Sequence, residues 1–299
     1  MIPGIAAVAV ALPWFLPAIA FVLGAIIGSF LNVVILRLPE GKSVVTPGSR
    51  CACGQPIAWR DNIPILSWLL RRGRARCCGR PFSVRYPVIE LLTSLLFVAC
   101  ARQFAPAVMV CGWVLVSALI AATFIDVDTL SIPDTFTIGL AAAGILLSLL
   151  VPALHGEHSG FFGLDSLRSG ADALEGLLIG SGLVLWIAML GEAALKKEAL
   201  GFGDVKFVGA IGAFCGWHGA VFSVFGGAVA GTLWILAAMV KTKAKSGKRK
   251  AETGEPAKPP LGFGMQVPFG PMLAFAGAAY FLFLHGPVDA WFARFSDLF

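Results

Sequence analysis

The chain has 299 residues, of which 58% are hydrophobic and 13% are charged, and its mean hydropathy is +0.84. This composition excludes a soluble globular protein, because apolar stretches of roughly 18 residues or more recur, and each can cross about 30 Å of hydrocarbon. The net charge of +6 does not indicate nucleic-acid binding, since the basic residues fall in a few loops. We therefore expect an all-α polytopic membrane protein.

The apolar stretches predict about eight transmembrane helices with one loop domain. The first stretch has no charged segment before it, which favours a membrane span over a removable signal peptide. The expected helices cover residues 5–27, 87–104, 106–125, 134–153, 173–195, 204–217, 219–240 and 267–285. The chain is divided into a first transmembrane helix (1–35), a basic loop with a cysteine cluster (36–86), and a helical core (87–299) with a Lys-rich loop at 241–262.

The charged residues predict which loops lie on which side of the membrane. Residues 36–86 hold ten Lys or Arg against two acidic residues, and residues 241–262 hold seven against two. Residues 154–172 instead hold three acidic residues and one Arg. The positive-inside rule puts the first two segments in the cytoplasm and the third outside. Many of the arginines in 36–86 could also bind anionic lipid headgroups.

Two aspartates stand at the ends of apolar stretches, where a carboxylate is costly and suggests function. Asp126 follows the run 114–125, and Asp204 precedes the run 207–217. The predicted topology brings both to the cytoplasmic face at similar depth. Two such carboxylates can share one proton, and that arrangement hydrolyses peptides in aspartic proteases. Gly201 and Gly203 have no side chains, so an extended substrate could approach closely beside Asp204.

Other polar residues near these aspartates leave alternatives open. Asp128 competes with Asp126, because two residues apart on a helix point about 200° apart and only one of them can face Asp204. Asp134 follows Ile-Pro and is expected to cap the next helix. Lys206 could neutralise phospholipid, steady its loop or take part in catalysis. The residues themselves do not choose between Asp126 and Asp128.

Several segments together resemble the bacterial type IV prepilin peptidases, also called leader peptidases. The similarity runs almost from end to end of the chain. It is carried by GSFLNVVILRLP (28–39), PGSRC (47–51), WRDNIPILSWLLRRGR (59–74), RYPVIE (85–90), FIDVDTLSIPD (124–134), EALGFGDVK (198–206) and VPFGPML (267–273).

The resemblance implies a membrane aspartic endopeptidase that cleaves prepilins and pseudopilins at the cytoplasmic face of the bacterial inner membrane. Cleavage would follow the glycine of a short basic leader, and the new N-terminal residue would then be methylated with S-adenosylmethionine. The catalytic aspartates of the family correspond to Asp126 and Asp204. The resemblance does not say which prepilins are cut, whether a type IV pilus or type II secretion is served, or which oligomer forms.

Members of this family usually carry two Cys-x-x-Cys pairs in the first loop, and that pattern suggests a zinc knuckle. The cysteines of this chain depart from the pattern. In this chain one residue separates Cys51 from Cys53, and Cys77 and Cys78 are adjacent. Ala75 occupies one of the positions where the family usually has a cysteine. Four thiolates could still bind Zn²⁺ tetrahedrally. The alternative is a loop of reduced thiols held by its tryptophans and apolar residues. Cys100, Cys111 and Cys215 lie in apolar runs and are expected in the core.

Three other functions compete with the bifunctional enzyme. The first is a peptidase without methyltransferase activity, since no glycine-rich strand–helix motif for the methyl donor is visible. The second is a proton-coupled transporter, for which carboxylates near the membrane midplane and paired broken helices are expected. The third is a non-enzymatic assembly factor in which the aspartates only cap helices.

Overall fold

A computed structural model describes residues 12–196, 200–253 and 268–296. Within these ranges the chain is helical and contains no β-strand beyond two isolated bridges, Arg50 with Pro56 and Arg74 with Pro81. The α-helices are α1 (Phe15–Arg37), α2 (Leu66–Leu70), α3 (Arg85–Gln103), α4 (Pro106–Thr129), α5 (Asp134–Leu150), α6 (Phe162–Leu195), α7 (Phe202–Thr253), α8 (Gly270–Ala279) and α9 (His285–Ser296).

Five helices in the described residues are long and apolar enough to cross a membrane. They are Phe15–Arg37, Pro106–Thr129, Phe162–Leu195, Phe202–Val240 and Gly270–Arg294, and the apolar helix Asp134–Leu150 is shorter. The expectation of an all-α polytopic membrane protein is therefore confirmed. The predicted number of eight spans is not confirmed by these lengths.

Helix α1 lies further along the chain than predicted. The expected span was 5–27, of which residues 5–11 lie outside the described part, and the observed helix continues to Arg37. Gly24 and Gly28 lie within this helix and let it approach α3 closely. A Cβ on Gly24 would lie 2.6 Å from Ser94 Cα, and one on Gly28 would lie 2.7 Å from Glu90 Cα. Small residues permit such close packing between membrane helices.

Boundary errors in α6 and α7 also made the expected helices too short. Helix α6 begins at Phe162 rather than at 173, and α7 runs to Thr253, so residues 241–253 are helical rather than the start of a loop. The remainder of the predicted loop 241–262 lies outside the described residues. The last predicted span, 267–285, is instead α8, one π-helical turn at Tyr280–Leu284, and α9.

Helix α7 consists of two arms that meet at Gly216. This glycine has φ 66° and ψ −178°, a backbone conformation that only glycine adopts readily. The arms 202–215 and 217–253 take the place of the two consecutive helices expected at 204–217 and 219–240. The second arm runs back along α8, since Gly219 lies against Tyr280 near one end and Gly227 lies against Met272 near the other.

One end of the bundle, which we call the site end, gathers the features singled out in the sequence. Asn32 near the end of α1 donates to the carbonyl of Tyr86 in α3, and Arg85 pairs with Asp128 near the end of α4. Gly270 at the start of α8 donates to Asp126, and Lys206 near the start of α7 pairs with Asp134 of α5. The basic segment 38–84, between α1 and α3, joins the bundle at this same end.

Candidate active site

Asp126 and Asp204 line one cavity of about 450 Å³ at the site end. Asp126 is 5% exposed, and Asp204 is half-buried. The cavity is lined by Asp126, Leu130, Ser131, Ile132, Asp134, Gly201, Phe202, Gly203, Asp204 and Lys206. The structure thus brings together the two aspartates that the sequence places 78 positions apart.

The end of α4 aims Asp126 into this cavity. Leu130 has φ 53° and donates its N–H to the carbonyl oxygen of Asp126 at 2.8 Å, which ends the helix. A positive φ is unusual for leucine and turns the chain sharply. The turn carries Ile132 into the cavity wall, where it lies 7% exposed. Asp126 is therefore held one turn before a helix end, at the boundary between the packed bundle and the cavity.

Gly270 is a third component of the site that the sequence reasoning did not identify. Its backbone N–H donates to Oδ2 of Asp126 at 3.0 Å. A Cβ at this position would lie 2.7 Å from Oδ2 of Asp126 and 3.0 Å from Cδ1 of Ile132. Only a residue without a side chain permits this approach without displacing the carboxylate. The segment VPFGPML contains Gly270, but nothing in its composition indicates a contact with a residue 144 positions earlier.

Asp128 has a different environment from Asp126. Arg85 binds it through Nη1 at 2.7 Å, and Nη2 of the same arginine donates to the carbonyl of Phe124 at 3.1 Å. The guanidinium also lies 4.9 Å from the centre of the Phe124 ring. Asp128 is exposed and is not among the residues that line the cavity. Asp126, rather than Asp128, is the residue that shares the cavity with Asp204.

The glycines beside Asp204 line the cavity without being sterically required in it. A Cβ on Gly201 would lie 3.7 Å from Oδ2 of Asp204, and one on Gly203 would lie 3.8 Å from Ile132. Both distances are ordinary van der Waals contacts. The glycines therefore keep space open within the cavity. Phe202 between them is 67% exposed. Close approach of a substrate at Gly201 and Gly203 remains a prediction.

Lys206 and Asp134 form an ion pair across the cavity wall. The expectation that Asp134 caps α5 is wrong, because Pro133 occupies the N-cap position and no side chain makes a capping hydrogen bond there. Asp134 instead lies in the first turn, where a negative charge interacts favourably with the helix dipole. The pair ties the start of α5 to the start of α7, so Lys206 steadies the segment that carries Asp204.

The four cysteines of the first loop converge. Sγ of Cys51 lies 3.6 Å from Sγ of Cys78, and Sγ of Cys53 lies 3.2 Å from Sγ of Cys77. All four sulfur atoms lie within 4.8 Å of one another. A tetrahedral zinc ion with Zn–S bonds of about 2.3 Å needs sulfur atoms about 3.8 Å apart. The donor set and its spacing therefore fit a zinc ion.

Two turns of similar form present these thiols. The backbone N–H of Cys51 donates to the carbonyl of Gln55 at 2.8 Å, and the backbone N–H of Ala75 donates to the carbonyl of Arg80 at 2.9 Å. Gly54 and Gly79 follow the second cysteine of each turn with φ 86° and 68°. Ala75 thus occupies in the second turn the position that Cys51 has in the first, and Cys77 supplies the missing thiol. Hydrogen bonds from the Cys53 backbone and the Cys77 side chain lower the pKa of Cys51 to about 7.

Comparison with known proteins places the chain in a family. Residues 22–104 match the Bacterial Peptidase A24 N-terminal domain, and residues 113–236 match the Type IV leader peptidase family. The chain belongs to the type IV leader peptidase family. This membership confirms the resemblance carried by the sequence motifs. The first match contains the cysteine loop and α3, whereas the second contains both aspartates of the cavity.

Relatives named "Prepilin leader peptidase/N-methyltransferase" match most of the length of this chain. One from Myxococcus xanthus (strain DK1622) is 42% identical over 257 residues, which are 81% of this chain and 69% of the relative. One from Klebsiella pneumoniae is 40% identical, with 69% of this chain and 88% of the relative covered. One from Aeromonas hydrophila is 36% identical, with 89% and 90% covered. No solved structure matches the chain.

Proposed function

We propose that this protein is a bifunctional membrane enzyme that cleaves the leader from type IV prepilins and pseudopilins and then methylates the new N-terminus. The observation that carries the peptidase activity is the cavity shared by Asp126 and Asp204. The names of the relatives support the prepilin substrate and both activities. The cavity lies at one end of the bundle rather than at mid-depth, which favours hydrolysis over a proton-coupled transport pathway.

Peptide hydrolysis requires the two carboxylates to differ in protonation. Two like charges in a poorly solvated cavity cannot both ionise cheaply, so the pair holds one proton. The N–H of Gly270 points at Oδ2 of Asp126 and compensates negative charge there. We assign Asp126 as the base that takes a proton from water. Asp204 then carries the proton and donates a hydrogen bond to the scissile carbonyl.

The bond changes balance with these two groups alone. The water oxygen attacks the carbonyl carbon as its proton passes to Asp126 and the carbonyl oxygen takes the proton of Asp204. When the tetrahedral intermediate collapses, the C–N bond breaks, Asp126 protonates the leaving amine, and a hydroxyl proton returns to Asp204. The products are a leader with a free carboxyl group and a pilin with a new amino terminus. Gly201 and Gly203 would leave room for the substrate backbone beside Asp204.

The second activity uses the amino terminus that the first creates. S-adenosylmethionine would supply an electrophilic methyl group, and a C–N bond would form as the S–C bond breaks. The amine must be neutral to attack, so a proton must leave it before or during the transfer. Methylation after cleavage is thus a natural order, because the nitrogen is an unreactive amide until the peptide bond is cut.

The cysteine loop is proposed to hold one Zn²⁺ through Cys51, Cys53, Cys77 and Cys78. The ion would have a structural role, because four thiolates leave no open coordination position for a substrate. Metal binding would also displace protons from thiols that are not yet ionised. In the reducing cytoplasm this site is favoured over disulfides.

The proposed location is the bacterial inner membrane, with the site end facing the cytoplasm. The basic residues of the segment 38–84 support this orientation, since positive loops are retained on the cytoplasmic side. Arginines of this loop would contact anionic lipid headgroups. A prepilin leader is itself basic and precedes an apolar helix, so its cleavage site would lie at the same membrane surface as the cavity.

A single reconstituted reaction tests the proposed function. Purified protein in lipid vesicles is mixed with a prepilin, with and without S-adenosylmethionine, and the products are identified by mass spectrometry. Cleavage after the leader glycine in both samples, with a methyl group added only when the donor is present, is the expected result. Cleavage without methylation would indicate a peptidase that lacks methyltransferase activity. This is the second candidate function, and the altered cysteine loop is the reason to consider it. Absence of cleavage by well-folded protein would overturn the proposal.

A further inference from the structure

The segment 59–70 of the first loop exposes a group of large apolar side chains. Within α2, Leu66 lies three and four positions before Leu69 and Leu70, so these leucines share one side of the helix. The other side packs inward, where Trp68 donates from Nε1 to the carbonyl of Phe82 at 3.3 Å. The exposed side chains, between 38% and 77% accessible, form what we call the apolar loop face: Trp59, Ile63, Leu66, Leu69 and Leu70.

Glu90 fixes the depth of this face in the bundle. Its Oε2 accepts a hydrogen bond from the backbone N–H of Ile65 at 2.7 Å. A Cβ on Gly28 of α1 would lie 2.7 Å from Cα of Glu90, so Gly28 and Glu90 lie at the same level. Residues 29–37 of α1 continue beyond Gly28, for about 13 Å along the helix axis. The start of α2 is therefore held well inward from the end of α1, not beyond it.

The bundle helices are apolar on their outer surface at this level. Phe30 of α1 is 47% exposed, and Val88 and Leu91 of α3 are 47% and 41% exposed. Helix α1 is long and apolar enough to cross a membrane, and exposed apolar side chains of such a helix contact lipid hydrocarbon. The apolar loop face, held at the level of these side chains, is thus placed beside hydrocarbon as well.

The backbone at the start of α2 is paired in the way that hydrocarbon requires. An unpaired N–H is costly in lipid, and irregular backbone is tolerated there only when its polar groups are satisfied. Leu66 donates its N–H to the carbonyl of Pro64 across the turn at Ile65, and proline itself has no N–H. The N–H of Ile65 is the one that this turn leaves over, and Glu90 accepts it. The bond from Glu90 therefore allows the turn to lie at this depth.

Charged and aromatic residues stand at the ends of the segment. Arg60 and Arg72 are both exposed, and Trp59 is 77% exposed. Tryptophan prefers the interface between hydrocarbon and headgroups, and long arginine side chains can reach from an apolar surface to the headgroups. An apolar face with such a border is typical of a segment that lies in the plane of the membrane interface.

We propose that the apolar loop face is inserted into the lipid leaflet at the site end, with phospholipid as its partner. Acyl chains contact Leu66, Leu69 and Leu70, and headgroup phosphates contact Arg60 and Arg72. The first loop is then an interfacial membrane segment and not a domain surrounded by water. The inference needs only a helical bundle in a membrane and does not depend on either enzymatic activity.

The test is photolabelling of the purified full-length protein by lipid. The vesicles contain phosphatidylcholine and phosphatidylglycerol, with a fraction of phosphatidylcholine that carries a diazirine in the middle of one acyl chain, and labelled residues are mapped by mass spectrometry. We expect label on Leu66, Leu69 and Leu70, as on Leu91 of α3. Val45 is the matched control, because it is an apolar residue of the same loop and is 77% exposed. It should carry no label, since it follows Ser43, whose carbonyl binds Arg37 at the end of α1.

Two variants test the part played by Glu90. Glu90→Ala removes the acceptor, so the N–H of Ile65 must turn to water and the label on Leu66 should be lost. Glu90→Gln keeps an oxygen that can accept this N–H and should keep the label. Unchanged label on Leu91 in both variants shows that α3 is still in the membrane.

Three results would overturn the inference. The first is label on the three leucines that is no stronger than on Val45. The second is crosslinking of two copies of the chain through the apolar loop face in place of lipid adducts, which would make this face an interface between copies. The third is full label on Leu66 in Glu90→Ala, which would show that the hydrogen bond does not set the depth of the segment.

Discussion

Gly270 holds Asp126 from a helix that lies far away in the chain. Its N–H donates to Oδ2 of the carboxylate, and the space that a Cβ would need is already occupied by that oxygen. The alanine variant should therefore push Asp126 out of position. A displacement of about 1 Å typically costs about a hundredfold in rate.

Gly270→Ala is expected to lower the rate of prepilin cleavage by about a hundredfold, with little change in the amount of protein in the membrane. Gly182→Ala is the control, because a Cβ on Gly182 would meet nothing within 4 Å. Initial rates on the same prepilin provide the measurement. Wild-type cleavage by Gly270→Ala would show that this contact does not position the carboxylate.

The cysteines allow a second prediction at the residue scale. Protein purified without chelators should contain about one zinc per chain by elemental analysis. Replacing Cys51 and Cys78 by serine should release the metal and make residues 49–82 more sensitive to protease. Prepilin cleavage should largely persist, since both aspartates lie outside this loop. A wild-type protein that is free of metal and equally protease-resistant would instead mean that apolar packing holds the loop.

At the residue scale the sequence predicted which groups matter but not all of their neighbours. Asp126 and Asp204 were expected at one face, and the structure places them in one cavity. The choice between Asp126 and Asp128 could not be made from helical spacing, because it depends on Arg85, which arrives from another helix. Gly270 was missed because its role is a backbone contact over a long sequence separation.

At the scale of elements, α7 depends on the reversal at Gly216. The two arms approach each other beside this turn, since a Cβ on Gly212 in the first arm would lie 3.1 Å from Cβ of Ala220 in the second. The turn uses a conformation that disfavours any side chain. The first arm also packs tightly on α6, since a Cβ on Gly212 would lie 2.2 Å from the carbonyl oxygen of Gly176. Asp204 begins this arm, so the packing of α6 and α7 positions one of the two carboxylates.

Gly216→Ala is therefore expected to destabilise the protein by about 1–3 kcal/mol, the usual cost of such strained backbone. Thermal unfolding in detergent, followed by circular dichroism, should show a lower midpoint than the wild type. Gly163→Ala serves as the comparison, because a Cβ on Gly163 would meet nothing within 4 Å. Equal midpoints for Gly216→Ala and the wild type would contradict the account of this turn.

The boundaries of the helices were the part of the fold that the sequence patterns predicted least well. The first helix was expected to end at residue 27, yet it continues to Arg37, and Gly24 and Gly28 are where α1 packs on α3. Residues 162–172 are too polar to suggest a span, but Asp165 and Ser169 are buried within the helix. In a membrane protein, packing between helices determines where a helix begins and ends, and the hydropathy of the local sequence does not show this packing.

At the scale of the whole molecule, charge predicts orientation. The segment 38–84 is strongly basic and lies at the site end, whereas residues 154–172 are more acidic. A reporter fused after Arg80 should therefore be cytoplasmic, and one fused near Gly160 should be periplasmic. Both fusions on one side of the membrane would contradict the proposed topology and the route by which a prepilin reaches the cavity.

The most direct test of the central claim is prepilin cleavage by single aspartate variants in lipid vesicles. Asp126→Asn and Asp204→Asn should each abolish cleavage while leaving the protein folded in the membrane, because either change removes one of the two proton-transfer groups. Asp128→Asn should retain substantial activity, since Asp128 pairs with Arg85 outside the cavity. Full cleavage by Asp204→Asn would show that the two carboxylates do not form the catalytic pair.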